Sequence, residues 1–170
     1  MIKKWLKDWI PSLIIAIILS FVLQTYVAQA VTIPSESMVP TLNINDKLII
    51  NKMINPNDLE YGDIVVFFSP IKEEERFIKR LIGVGGDTIE LREGFLYRNG
   101  EKIEEPYLDK AIDYEFGPVL VPENNYFFLG DNRNRSYDSH LWPSPFIEEG
   151  EVIGKAIFRY YPLSKVRKFD

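Results

Sequence analysis

Three clusters along the chain hold side chains that can do chemistry. Pro34-Ser35-Glu36-Ser37-Met38-Val39-Pro40-Thr41-Leu42 places two hydroxyls between prolines, and Phe77-Ile78-Lys79-Arg80-Leu81-Ile82 sets a basic pair among apolar neighbours. The third, Gly130-Asp131-Asn132-Arg133-Asn134-Arg135-Ser136-Tyr137-Asp138-Ser139-His140, adds a serine, carboxylates and the only histidine. Taken singly, each has a plain reading: a serine in a Pro-flanked loop, a solvated strand lysine, a turn with an ion pair. Together they suit acyl transfer by a serine. The chain has no cysteine and one histidine, which excludes a thiol nucleophile, thiolate metal sites and a multi-histidine metal centre.

A serine hydroxyl is a weak nucleophile until a base removes its proton. Lysine with its ordinary pKa of about 10.4 is protonated at neutral pH and cannot do so. Burial among apolar side chains disfavours the ammonium and lowers that value. Lys79 has Phe77, Ile78, Leu81 and Ile82 around it. In a strand its neighbour Arg80 projects to the other face, so the sequence predicts Lys79 buried, neutral and hydrogen-bonded to Ser37, with Arg80 solvated. The rival base is His140, in a triad with Ser37 and Asp138.

These residues need a scaffold. Lys47–Asn51, Asp63–Phe68, Arg76–Val84, Thr88–Arg92, Phe95–Ile103, Tyr126–Leu129 and Val152–Tyr161 read as short apolar strands, and Asn99-Gly100 marks a tight hairpin. The fold class expected is mostly β, an antiparallel barrel or packed sheets, with Glu104–Pro122 an insertion or extended loop. Ahead of it, Ile10–Val31 is a 22-residue apolar run without a charged side chain. At about 1.5 Å per residue it is long enough for a hydrocarbon core of about 30 Å. Trp5, Trp9 and Tyr26 stand where aromatic anchors belong, and Lys3, Lys4 and Lys7 give the first nine residues a balance of +2 against −7 for the remainder. The lysines place residues 1–9 in the cytoplasm and 32–170 outside, with 10–31 as anchor. A cleavable secretory signal is the other reading, since Ala28-Gln29-Ala30 fits a small-x-small site. The run is longer than a signal core, and that cut would leave Ser37 close to a new terminus. An overall charge of −5 excludes a basic nucleic-acid-binding face.

In this order behind an apolar span, the motifs resemble the type I signal peptidases, a family of Ser–Lys proteases. The resemblance rests on S-M-x-P-T-L at Ser37–Leu42, G-D-I-V-V-F at Gly62–Phe67, K-R-x-I-G at Lys79–Gly83 and G-D-N-R…S-x-D-S at Gly130–Ser139. Glu105-Pro106-Tyr107-Leu108 and Phe158-Arg159-Tyr160-Tyr161-Pro162 are similar to further family features. It implies Ser37 as nucleophile, Lys79 as general base, and Ser136 as the hydroxyl that orients the lysine. Asp138 matches the carboxylate that supports this region, and Ser35 the hydroxyl that joins the Ser37 N–H in an oxyanion hole. Val31, Ile33, Pro34, Phe77 and Ile78 match positions that line pockets for small side chains, with substrate bound as an added strand. No cofactor or metal is implied; the partners are exported preproteins bearing signal peptides and the lipid bilayer.

The sequence also departs from the family. His140 stands where the family usually has an arginine pairing with the aspartate, Glu36 where some members have glycine, and Gly85 where proline is common. Relatives that use a histidine base carry it at the Lys79 position, so the resemblance favours Lys79 over His140. With the span ending so close to Ser37, Trp142, Pro145 and Phe146 are expected to rest on lipid near the site.

Overall fold

The computed structural model describes residues 2–72 and 74–169; the side chains of residues 2–6 and 8 lie outside the description, and with them the expectations for Lys3, Lys4 and Trp5. Helix α1 (Ile2–Val22) runs on through a π-helical turn, Leu23–Val27. Within it Trp9–Val27 is 19 residues long, has a mean hydropathy of 2.1 and has no buried residue, so it is long and apolar enough to cross a bilayer. Pro11 falls inside the helix rather than at its first turn.

The apolar run does not end as helix. Ala28–Val31, expected as the last residues of the span, open strand β1 (Ala28–Thr32). Its partner is β2 (Lys47–Asn51), in antiparallel register from Ala28↔Asn51 to Thr32↔Lys47. An apolar stretch reads alike as helix or buried strand; here the ladder with β2 decides. The joint is tied down: the Lys52 N–H donates to the Val27 carbonyl at 2.9 Å and Lys52 Nζ to the Thr25 carbonyl at 2.5 Å.

The remaining strands are β3 (Ile64–Phe68), β4 (Arg76–Val84), β5 (Thr88–Arg92), β6 (Phe95–Arg98), β7 (Glu101–Ile103), β8 (Phe116–Leu120), β9 (Asn125–Leu129), β10 (Ile147–Glu148), β11 (Val152–Tyr161) and β12 (Arg167–Lys168). They form two antiparallel sheets. The larger has the order β1-β2-β11-β3-β4-β9-β10, with β12 on β11; the smaller is β7-β6-β5-β8. Alternation drives the packing: in β2 Leu48 and Ile50 are fully buried while Lys47 faces out, and in β5 Ile89 and Leu91 point in. Asn99 and Gly100, both at positive φ, turn β6 into β7. Strand β8 emerges from the segment expected to be an insertion or loop.

One apolar cluster lies beneath the chemistry: Ile33, Met38, Leu42, Leu48, Ile50, Ile64, Val66 and Ile78. A second gathers Phe67, Leu81, Phe128 and Trp142, and a third joins the smaller sheet to Phe127 and Leu129.

Candidate active site

Ser37 lies on a tight turn after β1. The Val39 N–H donates to the Glu36 carbonyl at 3.1 Å and the Leu42 N–H to the Met38 carbonyl at 2.8 Å. Met38 and Leu42 are wholly buried, and burying such a side chain contributes about 1.5–3 kcal/mol. The turn is thus pinned by its apolar neighbours while Ser37 stays partly accessible. Its hydroxyl faces Ser35 Oγ at 3.4 Å. Its N–H makes no hydrogen bond among the described residues.

Lys79 sits on β4 opposite Val65 and is only 4% exposed. Its Nζ donates to Ser136 Oγ at 3.0 Å and lies 5.8 Å from the Phe77 ring centroid. Burial lowers its pKa from 10.5 to about 8, against the opposing pull of the Asp138 and Asp131 carboxylates.

The third cluster closes the arrangement. Asp138 is fully buried; its Oδ2 accepts the Gly130 N–H at 2.8 Å, and its Oδ1 lies 2.6 Å from His140 Nδ1. Ser139 Oγ accepts the Phe128 N–H at 2.9 Å, clamping the loop to β9. Asn132 reaches the Ser37 turn: its N–H donates to the Ser37 carbonyl at 3.0 Å and its Nδ2 to the Glu36 carbonyl at 3.1 Å. Gly130 makes this closeness possible. A methyl group there would come within 2.2 Å of Ser136 Oγ and 2.3 Å of the Ser37 carbonyl, so the lysine's partner and the Ser37 main chain close over one point.

Ser37, Ser35, Lys79, Ser136 and Asp138 therefore converge, but not with every contact expected. Lys79 bonds Ser136 and not the Ser37 hydroxyl. Without substrate such bonds are often long and tighten later. Arg80 is not solvated: it is 8% exposed and doubly bonded to Asp131, at 2.8 and 2.6 Å, with its guanidinium 3.9 Å from the Tyr107 ring centroid. The β4 segment is covered on both faces, and the arginine is buried because a carboxylate neutralises it. His140 bonds Asp138 and stacks on Tyr114 at 4.0 Å; it forms no hydrogen bond to Ser37 among the described residues. Trp142 does not rest on lipid: it is 5% exposed and packs on Phe67 and Phe77, while Phe146 leans on the third cluster. The apolar demand of the β3–β4 face draws the indole inward.

Ile33 and Ile78 share the first cluster with Val31 packed at its margin, Pro34 is exposed, and Phe77 is half-buried. Two sheet edges meet this region. Among the described residues β1 pairs only with β2, and β4 pairs with β3 over Arg76–Arg80 but with β9 only from Arg80 onward. The edge of Arg76–Lys79 away from β3 pairs with no strand among the described residues.

Sequence reasoning missed the buried charges behind the loop. Arg133 is bonded through both terminal nitrogens to Glu105 and through Nε to the Gly130 carbonyl at 3.2 Å, and Glu105 also accepts the Tyr61 and Tyr107 hydroxyls. Burial, with the Glu105 carboxylate beside it, pushes the Tyr61 hydroxyl up to about 12. The Glu105-Pro106-Tyr107 motif was visible; its partner lay 28 residues away.

Comparison with known proteins decides the family. Residues 6–161 match the family described as signal peptidase, peptidase S26. The chain belongs to that family. S26 peptidases are serine endopeptidases associated with membranes, in keeping with the apolar helix α1. Signal peptidase I of Leptolyngbya laminosa is 39% identical over 95% of this chain and 82% of its own length. Probable signal peptidase I-2 of Synechocystis is 44% identical over 91% of this chain and 73% of its own. The crystal structure of a signal peptidase I from Enterococcus faecalis superposes with a TM-score of 0.52 at 34% identity, over 58% of this chain and 96% of that one. An antiparallel β fold behind an N-terminal apolar helix is thus the architecture of an S26 peptidase.

Proposed function

We propose that this S26 peptidase removes signal peptides from exported preproteins, cutting after a small-x-small motif with Ser37 as nucleophile and Lys79 as general base. Neutral Lys79 Nζ takes the Ser37 proton as Oγ attacks the scissile carbonyl. The resulting ammonium returns the proton to the leaving amine, which departs as the C–N bond breaks. Water, deprotonated by the same lysine, then hydrolyses the ester at Ser37. Ser136 holds the amine in place and Asp138 holds the loop that carries Ser136. The Ser37 N–H and the Ser35 hydroxyl are the donors available to the oxyanion.

The observation that carries the reading is a lysine buried at 4% exposure, lowered to about 8, and held by Ser136 beside the Ser37 turn. The open edges of β1 and of Arg76–Lys79 suit an extended peptide bound through its main chain, with Val31, Ile33, Pro34, Phe77 and Ile78 forming shallow apolar pockets for small side chains. Helix α1 anchors the chain with residues 1–9 in the cytoplasm and the β domain outside. The test is cleavage of a preprotein by full-length protein in detergent. Wild type yields mature protein, while Ser37→Ala and Lys79→Ala yield none; turnover by either variant at the wild-type rate overturns the assignment.

A further inference from the structure

The Ser37 turn borders a second feature, an open groove of about 660 Å3. Its walls come from three places: Glu36, Val39 and Asn43 on the Ser37 turn, Asn132 and Arg135 on the turn before Ser136, and Asp113 opposite. The far wall is tied to the near one, since the Asp113 N–H donates to Asn134 Oδ1 at 3.1 Å and Asn134 Nδ2 to the Ala111 carbonyl at 3.0 Å. None of the lining residues belongs to the two open strand edges or to the apolar pockets beside Ile33 and Ile78.

We infer that this groove receives the first residues of the mature chain, after the cut, and that Glu36 selects for their charge. The inference rests on the proposed peptidase reaction and extends it to the other side of the scissile bond. Its direction follows from the proton. The leaving amine must lie where Lys79 can protonate it, and Lys79 Nζ points to Ser136. Ser136 directly follows Asn132–Arg135, the turn that walls the groove. A peptide crossing Ser37 with its carbonyl toward the oxyanion donors and its leaving nitrogen toward Ser136 therefore continues along that turn.

The lining decides what is accepted. It is polar, as suits a segment that will become a protein surface. Glu36 is exposed, adjoins the nucleophile in sequence, and makes no ion pair among the described residues. Its carbonyl accepts from Asn132 Nδ2, so the main chain that carries the carboxylate is held at the groove wall. The other exposed charges of the lining are Asp109, Lys110, Asp113 and Arg135, which make no ion pair among the described residues and cancel one another, so Glu36 leaves the groove net negative. Of these charges Glu36 alone adjoins Ser37 in sequence, which makes it the one placed to meet a cation just beyond the cut.

The test is a set of peptides with alanine at the first and third positions before the cut, differing only in Lys, Gln or Glu at the second position after it. Full-length protein in detergent is expected to cleave them in the order Lys, Gln, Glu, with steps in kcat/KM of about two- to fivefold, the size of one exposed charge pair. Glu36→Gln flattens the order and Glu36→Lys inverts it, while Glu101→Gln, on β7 of the other sheet, keeps it. A charge order that Glu36→Gln leaves intact, or no charge order while the Gln peptide is cleaved, overturns the inference and spares the peptidase reading. Failure to cleave any of the peptides or a preprotein removes both.

Discussion

The pH profile gives the sharpest check on Lys79. Lowering its pKa from 10.5 to about 8 corresponds to about 3 kcal/mol against the ammonium, at about 1.4 kcal/mol per pH unit. With a value of about 8, roughly one-hundredth of the lysine is neutral at pH 6, about one-tenth at pH 7 and about nine-tenths at pH 9. If deprotonation of Ser37 by this amine limits acylation, kcat/KM should climb about ninety-fold between pH 6 and 9, with unit slope at the acid end. A base with the ordinary imidazole value of about 6.5 would give only about a fourfold rise over the same range. The assay is initial-rate cleavage of a preprotein at fixed ionic strength, for wild type, Lys79→Arg and His140→Gln. Lys79→Arg, which keeps the charge but cannot lose its proton, should be inactive at every pH. His140→Gln should keep the steep limb with a lowered plateau. A shallow profile, or a limb that vanishes in His140→Gln and survives in Lys79→Arg, would refute the reasoning.

Other consequences follow from the same geometry. In the folded state Lys79 binds its proton less tightly than in the unfolded chain, so its cost to stability is full below pH 8 and fades as pH rises through about 8 to 10.5. Lys79→Met should therefore raise the thermal midpoint at pH 7 while abolishing turnover, as scanning calorimetry in detergent would register. Gly130→Ala forces a methyl against Ser136 Oγ and the Ser37 carbonyl; it should cost about 1–3 kcal/mol in denaturant titration and silence cleavage. Asp131→Asn strands the Arg80 guanidinium, 8% exposed, and should cost about 3–5 kcal/mol by thermal melting. Asp138→Asn removes a charge that raises the Lys79 pKa, so the acid limb of the rate profile should shift below pH 8 as the plateau falls.

What the sequence made legible was what is local. Short apolar runs between turn residues located β2, β5 and β11, and Asn99-Gly100 placed a hairpin whose φ angles only such residues favour. Lys79 was readable as a buried lysine because its apolar neighbours are adjacent in sequence. Pairings across long stretches were not. Arg80 reads as a solvated partner of Lys79 until Asp131 is seen to neutralise it from 51 residues away. Arg133 likewise depends on Glu105. Strand β8 was hidden by Gly117 and Pro118, which suppress strand patterning, although β5 supplies a partner register of Ile89↔Val119. The end of the apolar run was misjudged for the same reason: nothing in Ala28-Gln29-Ala30-Val31 announces that Lys47–Asn51 will pair with it.

That junction makes the anchor and the catalytic domain one continuous ruler. The span ends at Val27, β1 begins at the next residue, and Lys52 fastens the joint to the neighbouring strand. No linker lets the nucleophile wander over a range of heights. Strand β1 advances by about 3.3 Å per residue, so the stand-off of Ser37 from the end of the span is set by strand geometry and not by averaging over a tether. On the proposed reaction, cleavage would then be gauged by distance as well as by side chain: a small-x-small motif too near or too far along an emerging preprotein should be passed over even when its residues suit the pockets.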